Sequence, residues 1–233
     1  MTTCKFALGA LSLFLVAGLP RAWADGSSPA TQPSVSAAAP SSADQSTGPT
    51  LDPRIAADVR DSVARQAFQE TDIKGGAFTV EGFDSCSSDG VLTGLRLGIG
   101  TFFNNDVIKR VDPIYLTPRG ERIGRGFGDE DQVYRTVIAK APPGFAVGAV
   151  SIGGGGGLDS IKITFMRFNG TRLDPTDRCV TPTIGMNATN LSQLDGDGTP
   201  IIGIRGRLSK DEHFLGMGLI FIKPTAMVVH NDQ

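Results

Sequence analysis

The sequence is poor in the side chains on which many catalytic and metal sites depend. Its 233 residues include two histidines, three cysteines, two tyrosines and one tryptophan. So few histidines and cysteines form no recognisable zinc-ligand pattern, and we expect neither a metal nor a cofactor. The formal net charge is −2 and the chain has no basic block, which argues against nucleic acid as a partner.

Long apolar runs are also scarce, and the only one stands at the N-terminus. Lys5 precedes an apolar run over residues 6–19, and small residues, Ala22 and Ala24, follow at signal-peptidase spacing. The run is shorter than the roughly 18 apolar residues that a spanning helix needs. The pattern predicts a signal peptide over residues 1–24, and export to the periplasm or the extracellular space without a membrane span. An uncleaved anchor is the alternative.

The segment after the apolar run has little that could enter a core. Residues 25–51 are mostly serine, alanine, threonine, proline and glycine, with scattered aspartate and glutamine. Such a composition buries too little apolar surface to offset the entropy that ordering costs. We predict a disordered linker between the export signal and the folded part.

A helix is predicted directly after this linker. Asp52 and Pro53 have the residue types of an N-cap and of the first helical position. Ile55, Val59 and Val63 follow at a spacing of four residues, which places them on one apolar stripe. We predict an amphipathic helix over residues 52–70, packed on one end or edge of the following domain, with a partner-docking helix as the alternative.

Residues 77–228 show strand and turn patterns together with an internal repeat. Three glycines, Gly94, Gly148 and Gly203, lie in similar strand-like segments 54 and 55 residues apart. A period of this length accommodates about four short strands with their turns. Three four-stranded sheets around an axis can share one core. We therefore predict an all-β fold, a three-fold β-prism of about twelve short strands with a short N-terminal helix. A sandwich or barrel with accidental repetition is the alternative.

Two cysteines, Cys86 and Cys179, remain if the signal peptide is removed. In an oxidising compartment, an isolated pair favours a disulfide. We expect this bridge, and two separate thiols are the alternative.

The sequence offers weak candidates for catalysis. Ser151 lies in a segment like a nucleophile elbow, but that motif requires a following helix, whereas five glycines and another strand follow here. The acidic run over residues 129–131 and the pair Asp195 and Asp197 could contribute to a calcium site, but they lack the spacing of a known loop and are better explained as solvated turns. We expect no enzyme and no catalytic residue.

Two family resemblances bear on function. Residues 203–207, followed by residues 214–219, resemble a jacalin-type lectin domain, and the similarity extends over residues 77–228. That resemblance implies a β-prism that binds sugars. Residues 143–148 are similar to the start of the repeat in vitelline-membrane outer-layer proteins, which are also secreted β-prisms. This second resemblance leaves open a structural, matrix or protein-binding role without a small-ligand site.

The jacalin-type resemblance also implies a site. These lectins hold sugar with a Gly-x-x-x-Asp loop, and Gly155 and Asp159 keep that spacing. A carboxylate can accept two hydroxyl hydrogen bonds, and glycine lets the backbone approach the sugar ring. In our alignment Asp112 takes this place in repeat 1 and Leu215 in repeat 3, where Asp211 lies nearby. The implied carbohydrate-binding residues are Asp159, Gly155, Gly156, Asp112 and Asp211. Asp159 could instead be a turn acid that caps a strand.

Overall fold

The computed structural model describes residues 48–76, 81–186, 190–211 and 213–223. The signal peptide predicted over residues 1–24 lies outside the described residues, and so does most of the linker predicted over residues 25–51. The described part contains one α-helix and fifteen strands. None of its helices is long and apolar enough to cross a membrane.

The strands form three antiparallel sheets of five strands each. Sheet 1 contains β4 (Val91–Phe102), β5 (Asn105–Thr117), β6 (Gly120–Ile123), β7 (Phe127–Gly128) and β8 (Arg135–Lys140). Sheet 2 contains β9 (Phe145–Gly154), β10 (Leu158–Asn169), β11 (Arg172–Val180), β12 (Ile184–Gly185) and β13 (Ser192–Asp195). Sheet 3 contains β1 (Phe68–Glu70), β2 (Lys74–Gly75), β3 (Glu81–Cys86), β14 (Ile201–Leu208) and β15 (Phe214–Ile222).

All three sheets have the same plan. A long central hairpin, β4–β5, β9–β10 or β14–β15, has two outer strands beside its second strand and one beside its first. In sheet 3 the three outer strands, β1, β2 and β3, come from the N-terminal side of the chain. The first and last parts of the domain therefore belong to the same sheet. The predicted three-fold β-prism is confirmed. Each sheet has one strand of two residues, which brings the twelve expected strands to fifteen.

The helix begins as predicted and ends earlier. In α1 (Pro53–Ala64), the Asp52 carboxylate caps the first turn by accepting the Arg54 N–H at 2.8 Å. The prediction that the helix continues to residue 70 is wrong, because Phe68–Glu70 is strand β1, paired with the end of β15. Without β1, that edge of β15 would expose unpaired backbone groups. The β domain therefore starts before residue 77.

Two apolar clusters fill the domain. The larger one contains the inward-facing side chains of all three sheets, among them Leu95, Val150 and Ile204. In the second, Ile55 and Val59 of α1 pack against residues of all three sheets. Those partners lie near the starts of β4, β9 and β14 and the ends of β10 and β15, away from the hairpin turns. The predicted packing of the helix on one end of the β domain is confirmed.

The expected disulfide is not formed in this structure. Cys86 lies on β3 opposite Gly203, while Cys179 lies on β11 opposite Phe165. The two residues thus belong to outer strands of different sheets, so the sequence pairing was wrong. Burial raises the pKa of the Cys86 thiol to about 11, with smaller contributions from Asp84 and Glu70.

Candidate functional site

A β-bulge recurs close to the turn of each central hairpin. In sheet 1, the register shift leaves Lys109 without a directly opposite residue. The corresponding extra residue is Asp159 in sheet 2 and Leu215 in sheet 3. A bulge releases a residue from the regular ladder and redirects its side chain. Lys109, Asp159 and Leu215 are therefore structurally equivalent, and we call them the bulge triad.

This equivalence corrects the alignment of repeat 1. The sequence matched Asp112 with Asp159, whereas the structure matches Lys109 with Asp159, three residues earlier. Asp112 is buried inside β5, where Arg96 Nε contacts its Oδ2 at 2.5 Å and Arg110 Nε contacts its Oδ1 at 2.9 Å. Both oxygens are thus occupied by guanidinium groups, and Asp112 does not line the hairpin-end cavity described next.

The three hairpins meet around a small cavity of about 70 Å³, which we call the hairpin-end cavity. All three members of the bulge triad line it. The residues immediately before them also line it, and all of these belong to the main core: Ile108, Leu158 and Phe214. The cavity therefore has an apolar floor and a rim whose chemistry differs from sheet to sheet.

Asp159 and the glycine loop form one side of this cavity. Asp159 is half-buried, and its carboxylate accepts a hydrogen bond from the Gly155 backbone N–H. Burial raises the pKa of the Asp159 carboxyl, and the Gly155 N–H partly opposes that shift. Gly155 and Gly156 are exposed, and a β-carbon added to Gly156 would meet no atom within 4 Å. The structure thus brings Asp159, Gly155 and Gly156 together on an open loop.

The backbone at Gly75 and Gly76 packs against this glycine loop. A β-carbon on Gly76 would lie 2.7 Å from the Gly156 carbonyl oxygen, and one on Gly154 would lie 2.7 Å from the Gly75 α-carbon. Such distances are too short for side chains, so glycine at these positions allows the two backbones to touch. The glycine run therefore combines tightly packed positions with an exposed tip.

The turn between β4 and β5 adds aromatic surface that sequence reasoning did not identify. Phe102 is 51% exposed and Phe103 is 85% exposed, and their rings meet edge to face with centroids 4.6 Å apart. Phe103 and Asn104 have φ values of 46° and 62°, in the left-handed region. Phe102 lines the hairpin-end cavity. Two consecutive phenylalanines before two asparagines were a visible signal of an aromatic turn.

Lys109 forms another side of the cavity. Its side chain is only 7% exposed and crosses Gly100, where an added β-carbon would lie 2.5 Å from Lys109 Cγ. Lys109 Nζ lies 5.9 Å from the centroid of the Phe102 ring. Within the part of the chain that the structure describes, this ammonium group makes no ion pair or hydrogen bond.

The turn between β14 and β15 forms the third side. His213 lines the cavity, and its Nδ1 lies 3.6 Å from Oδ2 of Asp129, which comes from the loop between β7 and β8. Asp211 is exposed on the same turn, where its N–H donates to Ser209 Oγ at 3.2 Å. Asp211 is thus at the same end of the prism as Asp159, but outside the cavity.

A larger groove of about 500 Å³ runs along β3, lined by residues that include Asp84, Cys86, Arg125 and Phe127. None of the residues predicted to bind carbohydrate lines this groove. Among the described residues, no group of three or more histidine, cysteine, aspartate or glutamate side chains is placed to hold a metal ion.

Comparison with known proteins identifies the fold. No family model and no curated sequence matches the chain. Among solved structures, artocarpin in complex with mannotriose has a TM-score of 0.50 at 14% identity, over 66% of this chain and 96% of its own. Artocarpin described as a lectin with mannose specificity also gives 0.50 at 14% identity, over 66% of this chain and 97% of its own. Frutapin, a lectin from Artocarpus incisa, gives 0.49 at 13% identity, over 67% and 98%.

The likeness to the jacalin-type lectin fold is therefore confirmed. At these identities the comparison concerns the fold alone. The resemblance to vitelline-membrane outer-layer proteins stays a prediction.

Proposed function

We propose that this chain is an exported, non-catalytic carbohydrate-binding protein that holds sugar at the hairpin-end cavity. The observation that carries the proposal is the contact between Asp159 and the Gly155 N–H on an exposed glycine loop. The remaining lone pairs of this carboxylate can accept sugar hydroxyl groups. The open backbone at Gly156 adds N–H and C=O groups that a ring can approach closely.

Aromatic surface beside the carboxylate supports the same proposal. Sugar rings have C–H faces that pack on aromatic rings, and the Phe102–Phe103 pair provides such a surface at the cavity mouth. Phe103 is large, apolar and strongly exposed in a backbone conformation that disfavours it. Together with the neighbouring Phe102 ring, this exposed side chain gives a ligand at the cavity mouth an apolar surface to contact.

The cavity lining supports binding without catalysis. Glycoside hydrolysis usually requires two carboxylates about 5–10 Å apart across the scissile bond. Among the described residues that line the hairpin-end cavity, Asp159 is the one carboxylate. The fold neighbours are named as lectins, and one of them was solved with mannotriose, which makes mannose-containing glycans the first ligands to test.

A glycan-array screen of the full chain tests the proposal, run with and without calcium. Asp159→Ala is the test variant. Asp195→Ala is the matched control, because Asp195 is an exposed carboxylate on β13 outside the cavity. We expect binding to a defined class of sugars, lost by about tenfold or more in Asp159→Ala and kept in Asp195→Ala, since a charge-assisted hydrogen bond of this kind contributes about 1.5–3 kcal/mol.

The other outcomes discriminate between alternatives. Binding that both variants retain would place the carbohydrate site elsewhere on the prism. No binding above background at high protein concentration would overturn the proposal and favour the structural or protein-binding role that the second resemblance implied.

A further inference from the structure

We propose that the hairpin-end cavity selects a sugar that carries a carboxylate, with Lys109 as its counter-charge. This inference rests on the proposed function, because it assigns the substituent that the sugar places inside the cavity. Lys109 occupies in sheet 1 the position that Asp159 occupies in sheet 2, so the cavity has a cationic side and an anionic side.

The burial of Lys109 is the first argument. An ammonium group that keeps little contact with water and has no compensating anion is costly, and largely buried charges in proteins are normally paired. Lys109 is 7% exposed, and its one described charge contact is the face of Phe102. A cation–π contact compensates only in part for lost hydration. A ligand carboxylate would supply the missing partner.

The size of the cavity is the second argument. A volume of about 70 Å³ is roughly half that of a cavity of about 150 Å³ that holds a benzene ring. This space accommodates a carboxylate and is too small for a pyranose ring. The ring would therefore lie at the mouth, over the exposed Gly156 and beside Phe102, with its acidic substituent pointing inward.

The arrangement of the other charged groups is the third argument. Two carboxylates lie near Lys109, and each already has another polar contact. Asp159 accepts the Gly155 N–H, and Asp129 lies 3.6 Å from His213 Nδ1. Among the described residues, neither forms an ion pair with Lys109. Leu215, the third member of the bulge triad, adds an apolar wall. A sugar that directs hydroxyl groups toward Asp159 and a carboxylate toward Lys109 would match the anionic and the cationic side of the cavity in one orientation.

Matched pairs of sugars test this inference on the full chain. Glucuronate is compared with glucose and galacturonate with galactose, and the methyl ester of each uronate removes the charge at nearly constant shape. Titration calorimetry should show the free acid binding about tenfold tighter than its neutral counterpart, as expected for one charge-assisted contact. The preference should weaken as salt is raised.

Variants at Lys109 separate its charge from its packing. Lys109→Met, which keeps the length and removes the charge, should bring the acid and its ester within about twofold, while Lys109→Arg should retain part of the preference. Lys162→Met on β10, away from the cavity lining, is the control for net charge. The thermal midpoint of each variant reports whether it has folded.

Each result has a distinct meaning. An acid preference that disappears only in Lys109→Met supports the inference. Equal binding of acids and neutral sugars by the wild type, or an unchanged acid preference in Lys109→Met, overturns it and leaves the proposed function intact. Failure of the wild type to bind any sugar, acidic or neutral, overturns both.

Discussion

Two adjacent positions in the three central hairpins differ sharply in chemistry. The first position is apolar in every sheet: Ile108, Leu158 and Phe214. The next position is the bulge triad, which carries a cation, an anion and an apolar side chain. The first set is fully buried in the core that the sheets share and forms the floor of the hairpin-end cavity, and the second forms its rim.

The difference shows where a repeated fold tolerates variation. A side chain in a close-packed core must match its neighbours in volume and polarity, which keeps the first set apolar. The bulge removes the second position from the ladder, so its side chain faces no directly opposite residue and is less constrained in type. Three copies of one structural unit thus share a core and still give the hairpin-end cavity an asymmetric lining.

The largest expected effect comes from the core position. Leu158→Ala should lower the free energy of unfolding by about 2–5 kcal/mol, because it removes buried methyl groups from the shared core and leaves a larger void there. Asp159→Ala, one residue further along, should change it by less than about 1 kcal/mol. Urea unfolding of both variants measures the two values. Equal losses of unfolding free energy in the two variants would contradict the difference that we assign to the core position and the bulge position.

The second prediction separates two aspartates that the sequence had placed in equivalent positions. Asp112→Ala should lower the free energy of unfolding by about 3 kcal/mol, since it leaves Arg96 and Arg110 without their shared buried partner. Its sugar affinity should match that of the wild type. Asp159→Ala should show the reverse pattern. A loss of affinity in a folded Asp112→Ala variant would count against this assignment.

The third prediction concerns the aromatic turn. Phe103→Asn should raise the free energy of unfolding by about 0.5–1 kcal/mol, because asparagine adopts the left-handed conformation more readily than phenylalanine. The same change should weaken sugar binding several-fold by removing ring surface. Thermal unfolding and calorimetric titration would test the two effects together. A variant with unaltered affinity would remove Phe103 from the site.

The smallest expected effect is a pH dependence at Asp159. Burial raises its pKa in the folded state, so ionisation of this carboxyl disfavours folding, and its contribution to stability falls as pH rises from about 3.8 through the folded pKa. Asp159→Asn should therefore be slightly more stable than the wild type at neutral pH, and this difference should vanish below pH 3.8. A destabilised Asn variant at neutral pH would indicate that the carboxylate has a structural role instead.

Much of the fold was predictable from the sequence. The 54- and 55-residue spacings indicated three equivalent units, and Asp52 with Pro53 marked the start of the helix. Strand β1 was missed because three residues are too few to show a two-residue period, and its strand character depends on the distant β15. The disulfide was wrongly expected because spatial proximity cannot be obtained from a count of cysteines.

The candidate site was predictable in part. The resemblance to jacalin-type lectins pointed to Asp159 and its glycine loop, whereas Lys109 was missed because repeat 1 was aligned on a neighbouring acid. The bulges determine the true equivalence, and they depend on cross-strand register. The same limit affected the alignment of Gly148 with Gly94 and Gly203. Judged by cross-strand register, the residue of sheet 2 that is equivalent to these two glycines is Ala149, which pairs with Thr164.

The central claim is that the hairpin-end cavity binds carbohydrate, and amide chemical shifts test it most directly. The isotope-labelled full chain would be titrated with the sugar that binds most tightly. Our account predicts that the perturbed amides cluster at Gly155, Gly156, Asp159 and Lys109, and that those along β3 do not move. Perturbed amides confined to the β3 groove would contradict it, and so would the absence of any change in amide chemical shift at saturating sugar.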